Sequence, residues 1–175
     1  MHPLTKVDVP AGNIAIHWFE QSTFALKDSG GTVVQIDPYY PHNRPAERYM
    51  HADPPLDEAG LPTDYILLTH AHGDHTCSES IGRIRDAFPD VRVVGPHESI
   101  AQVLAETDVD EAHTSIIEAG ESSTLGSMTA HVVYAKPSDG DPDADIAPPD
   151  VTHLGYVVQA AGVSVYVSGD PINTF

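Results

Sequence analysis

The stretch "TDYILLTHAHGDHTCSES", residues 63–80, crowds four metal-capable side chains, His70, His72, Asp74 and His75, into six positions. They directly follow an apolar run, Tyr65 to Leu68. A continuous apolar run of that length is what a strand buried on both faces requires. In the loop after a strand, side chains are released from strict alternation. An H-x-H pair can then aim both imidazoles at one point, and the following D-H pair can aim at a second point nearby. Imidazole and carboxylate suit Zn²⁺, Mn²⁺ or Fe. Gly73, with no Cβ, is expected to let the backbone fold tightly between the two pairs. A lone histidine in a polar turn would carry little weight. Four ligand-type residues behind a rigid, buried strand point to a metal centre.

Outward from this stretch the chain alternates strands and helices before turning mostly to β. Downstream, 78–88 carries Ile81, Ile84 and Phe88 at helical spacing with Ser78 as N-cap, 91–95 reads as a strand, and 98–106 as a helix. Upstream, 13–19 alternates with Ile14, Ile16 and Trp18 on one face, and 23–28 and 32–36 flank the Gly-rich turn 28–31 as a hairpin. Segments 114–119, 127–134, 154–160 and 163–169 have β-branched or alternating patterns, the last two closed by a turn at 160–162. Two long loops remain. The first, 37–62, is proline-rich, and its Tyr39, Tyr40 and Tyr49 favour a packed loop. The second, 135–150, is acidic and proline-rich. There is no repeat, P-loop or dinucleotide fingerprint, and 175 residues amount to a single domain, 1–175.

Composition narrows the partners. The formal net charge is −18, from 26 acidic against 8 basic residues. Phosphate backbones are bound through Lys and Arg, so nucleic acid is not an expected partner. Scarce lysine with abundant aspartate fits a cytoplasm rich in salt, which screens self-repulsion, and fits an ordinary acidic protein as well. Cys77 is the only cysteine, which excludes an intramolecular disulfide and a cysteine-based zinc site. The opening "MHPLTKVDVPAGN" has no apolar signal region, and no apolar run approaches the roughly 20 residues of a membrane helix. The expectation is therefore a cytoplasmic protein without a membrane partner.

"THAHGDH" (69–75) matches the T-H-x-H-x-D-H signature of the metallo-β-lactamase superfamily. "IHWFEQSTFALKDSGGTVVQIDPYY" (16–40) is similar to the amino-terminal strands of the branch that includes ascorbate-6-phosphate lactonase-like proteins, and "LGYVVQAAGVSVYVSGD" (154–170) to a later strand pair that delivers an aspartate ligand. The resemblance runs from about residue 13 to the end. It implies an α/β (α+β) αββα sandwich, of which this chain holds mainly the N-terminal half and part of the second sheet. It implies His70 and His72 as ligands of a first metal, Asp74 and His75 of a second, Asp170 as a bridge between them, and Asp37 as a residue orienting the metal loop through hydrogen bonds. A turn aspartate before Pro171 would leave the same local sequence.

The sequence departs from the family at two points. Where a third histidine on the first metal is expected, the chain reads "VVYAKPSDGDP", with Lys136 or Pro137 at the matching place. His153, just before the strand at 154, and His131, inside a strand, are the nearest substitutes; His153 is favoured because it sits at a loop end. The chain also stops five residues after Asp170, short of a further histidine on the second metal. Losing half of a two-layer sandwich would expose the inner face of a sheet. The 175-residue form is accordingly expected to form a homo-oligomer, to be unstable, or to be part of a longer chain.

The resemblance also implies a chemistry. Two divalent ions, Zn²⁺ first and Mn²⁺ or Fe as alternatives, would share a metal-bound hydroxide that attacks a lactone, ester, amide or phosphoester of a small molecule. Asp74 would orient that nucleophile or take its proton. Tyr39, Tyr40, His42 and Arg44, on the loop after Asp37, are candidates for the substrate wall, with Arg44 and Arg48 available to an anionic substrate. The competing expectations are a phosphodiesterase or nuclease, against which the charge counts, and a shortened non-catalytic metal-binding member.

Overall fold

The computed structural model describes residues 1–135 and 152–171. Lys136, Pro137 and all but the first residue of the loop read over 135–150 lie outside the described residues.

A six-stranded sheet runs in the order β1-β2-β3-β4-β5-β6: β1 (Ala15–Glu20), β2 (Thr23–Lys27), β3 (Val33–Ile36), β4 (Tyr65–Leu67), β5 (Arg92–Gly95) and β6 (Thr114–Ile116). The first three strands pair antiparallel and β3 to β6 pair parallel. Parallel neighbours need crossovers. Two of these are α1 (Ser78–Ala87), between β4 and β5, and α2 (His97–Glu106), between β5 and β6. A four-stranded antiparallel sheet follows, in the order β10-β9-β8-β7: β7 (Ser122–Leu125), β8 (Met128–Tyr134), β9 (Leu154–Ala160) and β10 (Val163–Val167). Strand β7 is absent from the sequence reading, because "SSTL" has one apolar residue and no alternation to betray it.

Alternation along the first sheet builds two apolar layers. Ala25, Ile66, Leu68 and Val93 point to the helices, where Ile81, Ile84, Ile100 and Val103 are fully buried against them. Leu26, Val34, Ile36, Leu67 and Val94 point the other way, onto Leu125, Met128, Ala130, Val132, Tyr156 and Val158 of the second sheet. The continuous run at 65–68 is thus explained by burial on both faces, as expected. The expectation of an exposed inner sheet face needs correction: the two inner faces pack on each other. On the β1 flank of the inner side, Ile16 and Trp18 are 53% and 61% exposed. Their cross-strand partners Leu26 and Phe24 belong to or pack against the intersheet core, so the same face continues outward past β10.

The loop after β3 is ordered by specific polar contacts. Tyr40 is fully buried; its hydroxyl donates to Gln35 Oε1 at 2.8 Å, and its backbone N–H donates to Ser80 Oγ at 2.8 Å. Arg83 reaches from α1 to the Tyr40 carbonyl and to Glu58. Buried Arg44 pairs with Glu20 at the end of β1 and stacks over the Tyr49 ring, 4.2 Å from its centroid. One residue of the helix start also differs from expectation. Cys77 occupies the cap, while Ser78 is the first helical residue and donates its hydroxyl to Glu106.

Removing one partner of a buried ion pair leaves an uncompensated charge, at a cost of about 3–5 kcal/mol. Glu20 is partly solvated, so the lower end applies. Glu20→Ala is expected to cost about 3 kcal/mol in denaturant unfolding and to speed proteolysis within 45–55. An unchanged midpoint and an unchanged cleavage rate would show that the Arg44 pair does not hold this loop.

Candidate metal centre

The site forms where both sheets present strand ends to one edge. Strands β3 and β4 are parallel, so Asp37 and His70 leave the first sheet at the same end. Strands β9 and β10 are antiparallel, so His153, just before β9, and Asp170, just after β10, share one end of the second sheet. Hydrogen bonds stitch these ends together: Leu154 N–H donates to the Thr69 carbonyl at 2.9 Å, and the Tyr156 hydroxyl donates to the Leu68 carbonyl at 2.5 Å. Gly169, at φ +64°, allows the β10 end to close on Thr69; a Cβ there would lie 3.1 Å from Thr69 Cβ and from the Leu154 carbonyl oxygen.

The histidine loop is itself a braced turn. His75 and Thr76 N–H both donate to the His72 carbonyl, at 2.9 and 2.7 Å. The Thr76 hydroxyl donates to the His70 carbonyl at 2.7 Å, and Gln102 of α2 donates to the Thr76 carbonyl at 3.0 Å. The expected need for Gly73 is not met in the structure. Its φ is not positive, and a Cβ there would meet nothing within 4 Å. The tight turn is enforced by the carbonyl of His72 and the threonine hydroxyl instead.

Among the described residues, two groups of donor atoms converge, each with its atoms within 4.8 Å of one another: His70, His72 and His153, and His70, His75 and Asp170. His70 Nε2 faces His72 Nδ1 at 3.0 Å, and His75 Nε2 faces Asp170 Oδ2 at 3.4 Å. The His153 ring stacks on His70 with centroids 4.1 Å apart. The loop-end histidine favoured on sequence is therefore the one beside the H-x-H pair. His131 sits on β8 between Ser122 and Gln159, away from the site. Asp74 is not in either group; it is exposed at the rim, and its charge reaches His75 and Tyr39. Asp170 is the carboxylate grouped with His75, while Asp74 stands near enough for its charge to raise the same imidazole.

Asp37 does occupy a position behind the metal loop. It is fully buried, at an unusual φ of +45°, and accepts from Thr69 N–H at 2.8 Å, the Thr69 hydroxyl at 2.7 Å and His75 Nδ1 at 2.8 Å. Thr69 is the residue the sequence reading passed over as a candidate, although it stands inside the quoted motif. Of the expected substrate wall, Tyr40 is corrected: it is a core residue with no exposed surface. Arg44 is likewise committed to Glu20. Tyr39 is half-buried with its hydroxyl 2.6 Å from that of Tyr49, and His42 and Arg48 are exposed.

The donor set suits a divalent metal by its own chemistry. Four imidazoles and one carboxylate, with two ring nitrogens 3.0 Å apart, are what Zn²⁺, Mn²⁺ or Fe accepts. Neutral imidazoles so close need either a shared proton or a cation between them. The environment favours the neutral form at His70: burial, and then the imidazoles of His75, His153 and His72, push it down to about 3. At His75 burial acts in the same lowering sense, but the hydrogen bond and charge of Asp37 outweigh it and raise the imidazole.

These opposite shifts separate by pH. The unfolded His70 takes a proton near the ordinary 6.5, whereas the folded one resists until about 3. Stability of the metal-free protein should therefore fall as pH drops below 6.5, a loss that His70 stops adding to once pH passes about 3. The raised His75 contributes stability that is complete below 6.5 and lost above it, so it does not mask this window. Melting curves of the metal-free chain between pH 5 and 6.5 should give a slope that His70→Gln reduces by up to about one proton. An identical slope in the variant would contradict the assignment.

Comparisons with known proteins fit this geometry. The family described as the beta-lactamase superfamily domain matches residues 15–174. Metal-dependent hydrolases are among the similar proteins: one of Ruegeria pomeroyi is 28% identical over 160 residues, covering 89% of this chain and 62% of that protein. One of Halobacterium salinarum is 29% identical over 153 residues, covering 87% and 56%. The chain thus spans about three fifths of the length of the relatives it matches. Among solved structures, a metallo hydrolase of Ignicoccus hospitalis superposes with a TM-score of 0.60 at 18% identity, covering 90% of this chain and 61% of its own. The diiron β-hydroxylase CmlA of Streptomyces venezuelae superposes at 0.59 and 21% identity, covering 91% and 30%. At such identities these two speak for the fold alone. With the family match covering nearly the whole chain, this protein belongs to the metallo-β-lactamase superfamily.

Proposed function

We propose that the chain is a metal-dependent hydrolase acting on a small molecule. The observation that carries this reading is the convergence of His70 and His72 from one sheet with His153 from the other, their donor atoms within 4.8 Å. Relatives described as metal-dependent hydrolases support it. His70, His72 and His153 would hold one divalent ion; His75 and Asp170 would hold a second, Zn²⁺ first and Mn²⁺ or Fe as alternatives. Bound there, such ions supply a water that is acidic enough to react near neutral pH and a Lewis acid for the electrophile. The chain's own residues do the rest. Asp74, exposed at the rim, orients the attacking water and accepts its proton. Asp37 and Thr69 keep the imidazoles aimed inward. Tyr39, with its hydroxyl paired to Tyr49, and exposed His42 are the residues on the preceding loop proposed to contact substrate.

A neutral lactone or ester suits the surroundings better than a phosphoester. Arg44 is taken up by Glu20, and the carboxylates of Asp74 and Asp170 stand at the site. The chain's −18 charge also opposes an anionic substrate and weighs against a nuclease. No helix among the described residues is long and apolar enough to cross a membrane.

Purified protein exposed to Zn²⁺ should retain about two ions by elemental analysis. His153→Ala should lose about one of them and lower hydrolysis of an aryl lactone or ester at least about 100-fold. Retention of no metal by the parent chain, or hydrolysis undiminished in His72→Ala, would overturn the reading.

A further inference from the structure

Hydrogen counting around Asp37 assigns a job to Thr69. Burial pushes the Asp37 carboxyl up, and the hydrogen bonds from His75 and Thr69 pull the other way. In the ionised form paired with His75 it brings no hydrogen, so both oxygens only accept. Oδ1 accepts from Thr69 N–H at 2.8 Å. Oδ2 accepts from His75 Nδ1 at 2.8 Å and from the Thr69 hydroxyl at 2.7 Å. The threonine hydroxyl has one hydrogen, and this contact uses it. Its oxygen also lies 3.0 Å from His70 Nδ1. With its hydrogen spent, it can only accept there. His70 Nδ1 must then carry the proton, which leaves His70 Nε2 bare. That bare nitrogen faces His72 Nδ1 at 3.0 Å, and His70 is the residue common to both donor groups.

We propose that Thr69 is a positioning residue: its hydroxyl relays the Asp37 carboxylate to His70, holding that imidazole in the Nδ1–H tautomer so that Nε2 is free to ligate. One buried carboxylate thereby orients two histidines, His75 by direct contact and His70 through a hydroxyl. The consequence for ligation rests on the metal-binding reading above; the tautomer assignment does not. Other contacts fix Thr69 for this role. Its carbonyl accepts from Leu154 N–H at 2.9 Å, and Gly169 closes on its side chain. The hydroxyl oxygen is thereby held among Asp37 Oδ2, His70 Nδ1 and His75 Nδ1, at 2.7, 3.0 and 3.2 Å.

The test compares Thr69→Val, which keeps the shape and removes the hydroxyl, with Thr69→Ser, which keeps the hydroxyl. Long-range ¹⁵N–¹H spectra of metal-free protein at about pH 8 report the tautomer of each histidine. In the parent chain His70 and His75 should both be Nδ1–H. Thr69→Ser should match it. Thr69→Val should move His70 toward Nε2–H while His75 stays Nδ1–H. Zn²⁺ affinity by chelator competition should fall about 10–100-fold in Thr69→Val and stay within about threefold in Thr69→Ser. An Nε2–H His70 in the parent chain overturns the relay without any variant, so a Thr69→Val that fails to fold does not protect it. So does an Nδ1–H His70 in folded Thr69→Val, or a Thr69→Ser that behaves like the valine. If the parent chain binds no Zn²⁺ while the tautomers follow the expected pattern, the metal reading fails and the relay stands.

Discussion

The buried carboxylate of Asp37 is the interaction on which the site depends. A charge without solvent is costly, and so is a non-glycine residue at φ +45°, by about 1–3 kcal/mol. Both are tolerated because three donors close on the carboxylate, each worth about 1.5–3 kcal/mol when the acceptor is charged. The donors come from the end of β4 and from the histidine loop, so the same bonds that compensate the aspartate hold β3, β4 and the loop in one geometry. The strained turn cannot be relaxed without breaking them.

That geometry extends to the second sheet through two hydrogen bonds onto the carbonyls at the end of β4, one from the backbone and one from a tyrosine hydroxyl. Leu154 N–H meets the Thr69 carbonyl, and the Tyr156 hydroxyl meets the Leu68 carbonyl. His153 and Asp170 are brought to the centre by the ends of a hairpin that is already docked on the intersheet core. The cluster of donor residues is therefore as rigid as the packing of Leu67 and Ile36 on Tyr156 and Val158. Precision of this kind matters, because misplacing a ligand by an ångström is enough to lose a metal site's geometry.

Much of the arrangement was legible in the residues themselves. The run at 65–68 demands burial on both faces, and the chain supplies a helix layer and a sheet layer to bury it. The density of ligand types after it marks the site. Other features were not legible, for identifiable reasons. Strand β7 has almost no apolar pattern, being held by pairing with β8. Tyr40 reads as a loop aromatic, and only Gln35 and Ser80 reveal that it is core. Thr69 reads as the last residue of a strand, and its hydroxyl acquires meaning only from the distances to Asp37 and His70.

By itself the sequence determined the kinds of atoms available: nitrogen and carboxylate ligands at the end of a buried strand, an acidic surface, and a single cysteine unable to pair within the chain. Those are local properties, set by composition and by spacings of a few residues. Which atoms meet was decided by the tertiary structure alone. His153 rather than His131 joins the pair, and Asp170 rather than Asp74 faces His75. The physical reason is that donor residues separated by some 80 to 100 positions converge only through sheet register and intersheet packing, which no local pattern encodes.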